Sequence, residues 1–382
     1  MNQTSAVELL NRLEGYHNIE IGDARALPMQ MYTSTEIYER ERDQLFRYEW
    51  ICVGREEQVA KAGDYFTFEL ADEPVVVVRG EDGKLRALSA VCRHRYMSVV
   101  SGSGNTRRLV CPYHRWSYGL DGELRGAPLM VKPTNPNGSA CRLPEFAVET
   151  WLGFVFVTLD PKPAPLSSKL AGAAEILAPY GFDKWRVAVA YDEIWPGNWK
   201  LGLETALEGY HIDGLHQNTI AGLMSSRGGH RQAAAEQWNC FRLDINFEHP
   251  LGAPLKEVAQ AMGGADAISS PTVTVYPNAN ISCSPGQCMW LTFLPAGIDR
   301  TRALGALLVC PEEYARIEQS AKVRAETEAT VELLNTEDSS AMVDLQRNAH
   351  SRYAVPGVLN EKEACLLDFY RYLAAKLGTQ VA

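Results

Sequence analysis

The pattern of hydrophobic and polar positions in this 382-residue chain changes near residue 50. Before that point, apolar residues recur at helical spacing, which predicts helices over residues 5–13 and 35–46. After it, short β-rich runs alternate with turn signals, and we predict strands over residues 65–70, 74–79, 85–91 and 147–159. Strands this short and closely spaced indicate a small antiparallel barrel or sandwich that ends near residue 160.

Three prolines, Pro161, Pro163 and Pro165, then mark a linker. Beyond it the runs are longer, and the pattern predicts helices over 167–178, 199–211, 312–335 and 361–377, with strands over 186–194, 239–247, 271–277, 289–295 and 303–310. Antiparallel strands that are flanked by helices, rather than alternating with them, are typical of an α+β fold. We therefore predict an N-terminal helical segment (1–45) that packs on a large second domain (161–382), with a β-rich domain (46–160) between them.

Composition narrows the class of protein. Hydrophobic residues make up 46% of the chain and charged residues 22%, which is an ordinary globular mixture. The net charge is −10 and the basic residues are scattered, so we expect no nucleic-acid partner. No apolar run has membrane-spanning length, and the N-terminus has no secretory-signal pattern, so we expect a cytoplasmic protein. Nine cysteines are too few for a disulfide scaffold, which leaves metal binding as the better use for any that are grouped.

One such group lies in the β-rich domain. Cys92 and His94 stand two residues apart, and after sixteen intervening residues Cys111 and His114 follow. Two loops thus each offer one thiolate and one imidazole, which suits either a tetrahedral zinc ion or an iron–sulfur cluster. The spacing resembles the Rieske signature, in which two cysteines hold one iron of a 2Fe-2S cluster and two histidines hold the other. Where many members of that family have glycine after the first loop's His-Arg, this chain has Tyr96.

A second group lies in the α+β domain. Glu204, Glu208 and His211 recur at helical spacing on a face that should be buried, which indicates a site. His216 follows five residues after His211, and a regular helix would turn the two imidazoles about 140° apart. The glycines beside them permit local unwinding. Two histidines and one carboxylate on one face of an iron ion form the facial triad of non-haem iron(II) oxygenases.

The segment from Asn198 to His216 is similar to the iron-binding motif of the Rieske non-haem iron oxygenases, in the catalytic α subunit, and the resemblance extends over nearly the whole chain. It implies an antiparallel β Rieske domain followed by a catalytic domain with a helix-grip-like antiparallel sheet. It also implies that Glu208, where many members have aspartate, hydrogen-bonds an iron histidine and a cluster histidine of the neighbouring subunit. Downstream, the motif favours Asp338 as the third iron ligand, with Glu337 and Asp344 as competitors.

By this resemblance the chain is a terminal oxygenase component with one 2Fe-2S Rieske cluster and one mononuclear Fe(II). A reductase or ferredoxin would deliver electrons from NADH, dioxygen and a small organic molecule would be the substrates, and three copies of the chain would form a homotrimer. Chain size and Glu208 favour monooxygenation, including oxidative demethylation, over cis-dihydroxylation of an aromatic ring. Two alternatives from other classes are a Rieske electron-transfer protein without oxygenase activity and a zinc-stabilised binding module. Aromatic residues on the predicted strands would line the substrate pocket, form a cage for a cation, or pack the sheet: Trp238, Phe241, Phe247, Tyr276, Trp290 and Phe293.

Overall fold

The protein is described by a computed structural model that covers residues 5–135, 138–250, 252–262 and 269–378. It divides into two compact units, one formed by Leu45–Leu166 and the other by Met1–Gln44 together with Ser167–Ala382. Both contain antiparallel sheets, and the helices flank the sheet of the larger unit, which confirms the predicted α+β class. Among the described helices, none has both the length and the apolar character needed to cross a membrane.

In the residues that the structure describes, the smaller unit contains ten strands. Seven form one antiparallel sheet in the order β1-β10-β9-β4-β3-β2-β5, and three form a small second sheet in the order β6-β7-β8. The strands are β1 (Ile51–Arg55), β2 (Asp64–Leu70), β3 (Glu73–Arg79), β4 (Leu85–Ser89), β5 (Ser103–Asn105), β6 (Leu109–Val110), β7 (Ser117–Tyr118), β8 (Leu124–Gly126), β9 (Glu145–Trp151) and β10 (Phe154–Thr158). Cys92 and His94 lie in the loop after β4, and Cys111 and His114 lie in the hairpin between β6 and β7.

The prediction of a single strand over residues 147–159 was wrong. Two strands, β9 and β10, form a hairpin there, with Trp151 directly opposite Phe154. The two turn residues, Leu152 and Gly153, both have positive φ, as two-residue hairpin turns require. Glycine adopts that conformation readily, whereas leucine carries no turn signal, so the sequence pattern reads as continuous.

The larger unit contains one seven-stranded antiparallel sheet in the order β11-β17-β16-β15-β14-β13-β12. From β12 to β17, each strand pairs with the next in sequence, and β11 adds to the edge beside β17. The strands are β11 (Arg186–Pro196), β12 (Met224–Ala235), β13 (Trp238–Ile245), β14 (Ser269–Val275), β15 (Ala279–Ser284), β16 (Gln287–Gly297) and β17 (Arg300–Val309). Our sequence pattern predicted neither β12 nor β15, whose polar and small residues hide the strand alternation.

The helices are α1 (Ala6–Glu14), α2 (Gln30–Thr33), α3 (Thr35–Arg40), α4 (Leu166–Lys169), α5 (Ala173–Leu177), α6 (Trp199–Ala206), α7 (Ile212–Leu215), α8 (Ala253–Met262), α9 (Pro311–Glu318), α10 (Ala321–Asn348) and α11 (Ala364–Leu377). Three predicted helices differ from these. The helix over 199–211 ends at Ala206, the helix over 167–178 is interrupted at Gly172, and the helix over 312–335 is two helices, of which α10 continues to Asn348.

A buried ion pair anchors the N-terminal segment to the sheet-bearing part of the same unit. Lys200 Nζ on α6 lies 2.6 Å from Glu41 Oε1, and both side chains are at most 1% exposed. The second carboxylate oxygen, Glu41 Oε2, accepts a hydrogen bond from Trp199 Nε1 at 2.8 Å. Burial raises the pKa of Glu41, although Lys200 and Trp199 act in the opposite direction. The carboxylate therefore depends on its two partners for compensation.

Replacing Lys200 tests this anchor. We expect Lys200→Met to lower the free energy of unfolding by about 3–5 kcal/mol, because it leaves a carboxylate buried without its counter-charge. Urea unfolding followed by tryptophan fluorescence measures the effect. The control, Arg316→Met, breaks the exposed pair with Glu313 and should change stability by no more than about 0.5 kcal/mol. Adding Glu41→Leu to Lys200→Met should restore much of the loss, and an unchanged urea midpoint for Lys200→Met alone would refute the anchor.

A second buried carboxylate, Glu204, makes stability depend on pH. Burial raises its pKa from 4.5 to about 8, outweighing the Tyr32 hydrogen bond and the Lys200 charge, which lower it. The folded protein therefore keeps a proton that the unfolded chain releases, and stability should fall as pH rises through the interval between these two values. We expect Glu204→Gln to flatten the plot of urea midpoint against pH across that interval. Glu328→Gln, on an exposed part of α10, should keep the wild-type slope, and identical slopes in both variants would contradict this assignment.

Candidate metal centres

The two cysteine-histidine loops of the smaller unit close with the same hydrogen bonds. In the first, Cys92 N–H donates to Met97 O (2.9 Å) and Tyr96 N–H donates to Cys92 O (3.1 Å). In the second, Cys111 N–H donates to the carbonyl five residues on (2.8 Å), and Arg115 N–H donates back to Cys111 O (3.0 Å). Tyr96 and Arg115 hold equivalent positions and have φ of 62° and 59°. Glycine adopts this conformation at the lowest cost, so both loops place a larger residue where glycine would be favoured.

Among the four candidate ligands, the two cysteines share one core cluster and the two histidine rings are in contact. Cys92 and Cys111 are 1% and 2% exposed and belong to the hydrophobic core of the unit. The rings of His94 and His114 meet edge to face with centroids 4.6 Å apart, and His94 also stacks on Trp116 at 4.9 Å. The structure thus pairs the two histidines, and it places both cysteines in the same core cluster as Trp116, which stacks on His94.

The donor atoms fit an iron–sulfur cluster. His94 Nδ1 is buried and has no hydrogen-bond partner among the described residues, as expected for an atom that binds metal. Desolvation lowers the pKa of His114, and the neighbouring His94 and Arg95 lower it further, which favours the neutral ligand form. Tyr118 Oη accepts a hydrogen bond from Arg93 N–H and lies 3.4 Å from Cys92 Sγ. Burial raises the pKa of Tyr118, so its hydroxyl stays protonated and able to donate to a thiolate.

The second centre lies where α6 ends. Instead of unwinding gradually, the chain leaves α6 at Ala206, and His211 and His216 stand on either side of the short helix α7. Their Nε2 atoms are 3.2 Å apart. Asp338 reaches them from the middle of α10, with Oδ1 lying 3.2 Å from His216 Nε2 and 4.0 Å from His211 Nε2. Among the described residues, this is the one set of three or more such side chains whose ligand atoms lie within 4.8 Å of one another.

These distances fit a single metal ion. Ligand atoms bound to one ion at about 2.0–2.2 Å lie roughly 3 Å apart when they are at right angles and at most about 4.4 Å apart, so all three distances are compatible with one ion. Asp338 Oδ1 is buried and has no hydrogen-bond partner among the described residues, which leaves that oxygen available to a cation. The set of two imidazoles and one carboxylate is the set typical of non-haem iron(II).

Carboxylates hold the other nitrogen of each histidine. Glu208 Oε1 lies 2.7 Å from His211 Nδ1, and Glu337 Oε2 lies 2.8 Å from His216 Nδ1 and accepts a hydrogen bond from Thr219 Oγ1. Such partners keep the ring proton on Nδ1 and turn Nε2 towards the metal. Although burial acts against it, Asp338 and Glu337 raise the pKa of His216. Although burial raises the pKa of Glu337, the His216 and Thr219 contacts give it a net decrease.

The other two carboxylates that the sequence offered as third ligand, Glu337 and Asp344, make different contacts. Glu337 contacts the far side of His216, a role that the sequence reasoning missed because its partner is 121 residues away. Asp344 is exposed and pairs with Arg347 at 2.7 Å. Glu204 lies outside the ligand set, since both of its oxygens are within 2.9 Å of the Tyr32 hydroxyl.

Comparison with known proteins agrees with this arrangement. Residues 49–147 match the Rieske [2Fe-2S] domain, and residues 182–379 match the family described as ring hydroxylating alpha subunit (catalytic domain). The chain is 33% identical over 221 residues to the glycine betaine monooxygenase oxygenase subunit of Chromohalobacter salexigens, covering 58% of this chain and 48% of that protein. It is 35% identical over 196 residues to the 2-aminobenzenesulfonate 2,3-dioxygenase subunit alpha of an Alcaligenes species, covering 50% of each.

These alignments span about half the length of the curated relatives. The crystal structure of a quaternary ammonium Rieske monooxygenase shares the fold, with a TM-score of 0.80 at 23% identity over 94% of this chain and 97% of that one. The catalytic-domain match alone covers just over half of this chain. With its Rieske domain and the mononuclear-iron catalytic domain that follows, the chain belongs to the ring-hydroxylating alpha-subunit family of Rieske proteins, which confirms the resemblance seen in its motifs.

Proposed function

We propose that this chain is a cytoplasmic terminal oxygenase component that hydroxylates a small organic substrate by monooxygenation, which includes oxidative demethylation. A reductase or ferredoxin would pass it electrons from NADH. The observation that carries the proposal is the second ligand set, in which His211, His216 and Asp338 converge while carboxylates hold both imidazole Nδ1 atoms. When bound, the cluster supplies single electrons and the iron supplies the redox chemistry that dioxygen activation requires.

The chain's own residues prepare the iron site. Glu208 accepts the His211 backbone N–H at 3.1 Å with one oxygen and meets the ring Nδ1 with the other, so it fixes both the turn and the tautomer. Glu337 does the same for the ring of His216, with Thr219 holding the carboxylate in place. The side chains of His211 and Asp338 remain 21% and 16% exposed, so one side of the set is open to small molecules. Preorganisation of this kind avoids rearrangement when the ion binds.

The alternatives differ in what they require. An electron-transfer protein needs the cluster loops alone, so the close approach of His211, His216 and Asp338 in a second ligand set would have no purpose in it. A zinc-stabilised module would use two cysteines and two histidines in the smaller unit but would leave the triad of the larger unit unexplained. Ring cis-dihydroxylation is the second candidate, since one relative that matches half the chain is a dioxygenase subunit. Glu208 and the similarity to a betaine monooxygenase favour monooxygenation.

We also propose a homotrimer. The two ligand sets lie in separate compact units of the chain. In a closed head-to-tail ring, each cluster would serve the iron of the next copy, and a ring of identical heterologous contacts satisfies every interface. Glu208 would bridge the two centres, because its carboxylate already holds an iron histidine.

Removing the proposed third ligand tests the mononuclear iron site independently of the cluster. We expect Asp338→Ala to lose the mononuclear iron, reducing the content from about three to about two irons per chain, and to lose product formation, while the visible cluster spectrum remains. Iron and sulfide analysis with absorption spectroscopy measures this. The matched control is Asp344→Ala on the same helix, whose carboxylate is exposed and paired with Arg347. Wild-type iron content in Asp338→Ala would show that another carboxylate is the ligand.

Glu208 is tested by electron transfer. We expect Glu208→Gln to keep iron and cluster contents near those of the wild type, yet to slow reoxidation of the reduced cluster by dioxygen in the presence of substrate by about tenfold or more. The introduced amide can still hydrogen-bond His211, but it carries no charge to pair with the cluster histidine of the neighbouring copy. Stopped-flow absorption of the cluster follows the rate, with Glu328→Gln as the exposed control. A reoxidation rate equal to that of the wild type would remove Glu208 from the route.

A further inference from the structure

One row of side chains crosses the sheet of the larger unit. Cross-strand pairing aligns residues from β11, β17, β16, β15, β14 and β13, each directly opposite the next. Residues directly opposite each other point to the same face of a sheet. The members, which we call the middle row, are Val189, Leu307, Met289, Ser282, Thr272 and Phe241.

The iron ligands lie over the face that carries the middle row. The amide of Asn280, two residues from Ser282 on β15, donates to the carbonyl of Ala206 at the end of α6 (2.9 Å). Leu243, two residues from Phe241, lies so near Gly209 in the ligand turn that an added Cβ there would come within 2.8 Å of its side chain. These contacts place the end of α6 and the ligand turn above β13 to β15.

Near the other edge of the sheet, Tyr191 on β11 also points to the face that carries the middle row. It follows Val189 by two residues on β11, and its hydroxyl donates to Trp290 O at 2.7 Å. The helix that carries Asp338, α10, packs along β11. An added Cβ at Gly197, directly after that strand, would come within 2.8 Å of the side chain of Met342 on the same helix. The middle row therefore runs beneath the ligand set from one side to the other.

Space remains above the centre of the row. Ser282 and Met289 are only partly buried, although Asn280, Ser284 and Leu291, each two residues away on the same face, are at most 9% exposed. Residues in the middle of a seven-stranded sheet that keep access to solvent on a covered face indicate a cavity there. That cavity is where a molecule beside the iron ligands would rest.

The middle row itself is uncharged and carries one hydroxyl pair. Thr272 Oγ1 donates to Ser282 Oγ at 3.0 Å, so the Ser282 hydroxyl hydrogen can point elsewhere. Met289 Sδ lies 3.5 Å from the Tyr191 hydroxyl. The six members of the middle row include no charged side chain and a single aromatic ring, that of Phe241.

The other aromatic candidates for a cation cage lie elsewhere. Trp290 and Trp238 alternate with members of the row and point to the opposite face of the sheet. Phe293 packs against Gly202 of α6, and Tyr276 packs against Phe369 and Tyr372 of α11. Phe247 lies beyond the end of β13. Binding of a quaternary ammonium group relies on aromatic ring faces around the cation, which the row does not supply.

We propose that the substrate lies against the middle row and is a small neutral molecule whose hydroxyl or carbonyl oxygen accepts a hydrogen bond from Ser282, rather than a quaternary ammonium ion. The inference rests on the proposed function, since it assigns the substrate of the same iron site. Ser282 is a specificity-determining residue in this scheme. Thr272 is a positioning residue, because it holds the Ser282 oxygen.

Three probes of similar shape test the proposal: benzyl alcohol, ethylbenzene and benzyltrimethylammonium. Their binding to the anaerobic, iron-loaded full chain is measured by calorimetry, without turnover. We expect Ser282→Ala to weaken benzyl alcohol binding about fivefold and to leave ethylbenzene binding unchanged within about twofold, because one hydrogen bond is lost. The matched control is Ser284→Ala, on the same strand and face, which should leave both affinities unchanged. In the wild type, benzyltrimethylammonium should bind most weakly of the three.

Thr272→Val provides a second variant if Ser282→Ala fails to fold, and it should weaken benzyl alcohol selectively by about twofold or more. Tightest binding of benzyltrimethylammonium, or equal losses in Ser282→Ala and Ser284→Ala, would overturn the proposal. Substrate-dependent oxygen consumption with a quaternary ammonium compound would support the proposed function while overturning this inference. Selective loss of benzyl alcohol binding, in a chain that consumes no oxygen with any electron donor, would support the inference and count against the proposed function.

Discussion

The proposed iron site depends on one imidazole, that of His216, which two adjacent residues of a distant helix contact from opposite sides. Glu337 meets His216 at Nδ1 and Asp338 faces it at Nε2, at 2.8 Å and 3.2 Å. Adjacent side chains on a helix diverge by about 100°, so the pair can enclose the ring only at one rotation of α10 about its axis. A shift of α10 by a single residue would remove both contacts, and the position of this helix therefore decides whether a ligand set exists.

The position of α10 is in turn fixed by Asn198 and Gln346, which contact none of the proposed iron ligands. Gln346, two turns beyond Asp338, accepts the Asn198 backbone N–H at 2.9 Å and donates to Tyr32 O at 3.4 Å. Asn198 caps α6 through its bond from Lys200 N–H, and its amide donates to Ile298 O on the sheet side. Asn198 and Gln346 thus join α6, α10 and the N-terminal segment. They serve the metal site by holding its helices in register.

Whether a contact is local or joins distant segments decides what could be predicted from the sequence. The cluster ligands lie within two short loops, so their spacing alone indicates a metal, and His211 and His216 are equally local. Asp338 could be chosen only by resemblance, because its distance from the histidines is set by the sheet and not by helix periodicity. The contact of Glu337 with His216 had no signal at all. In the fold, β12 and β15 were missed since small and polar residues satisfy tertiary contacts there, as Asn280 does with Ala206.

The cluster loops show the cost of building a site on backbone geometry. Both loops close by a bond from the cysteine N–H to the carbonyl five residues on, and this closure forces the residue before that carbonyl into the left-handed region. A non-glycine residue there costs about 1 kcal/mol or more, and this chain accepts it twice, at Tyr96 and Arg115. Packing of Trp116 on His94 and burial of both cysteines in the core offset that strain. These contacts join both loops to the core of the unit, so the packing of the core and the shape of the loops depend on each other.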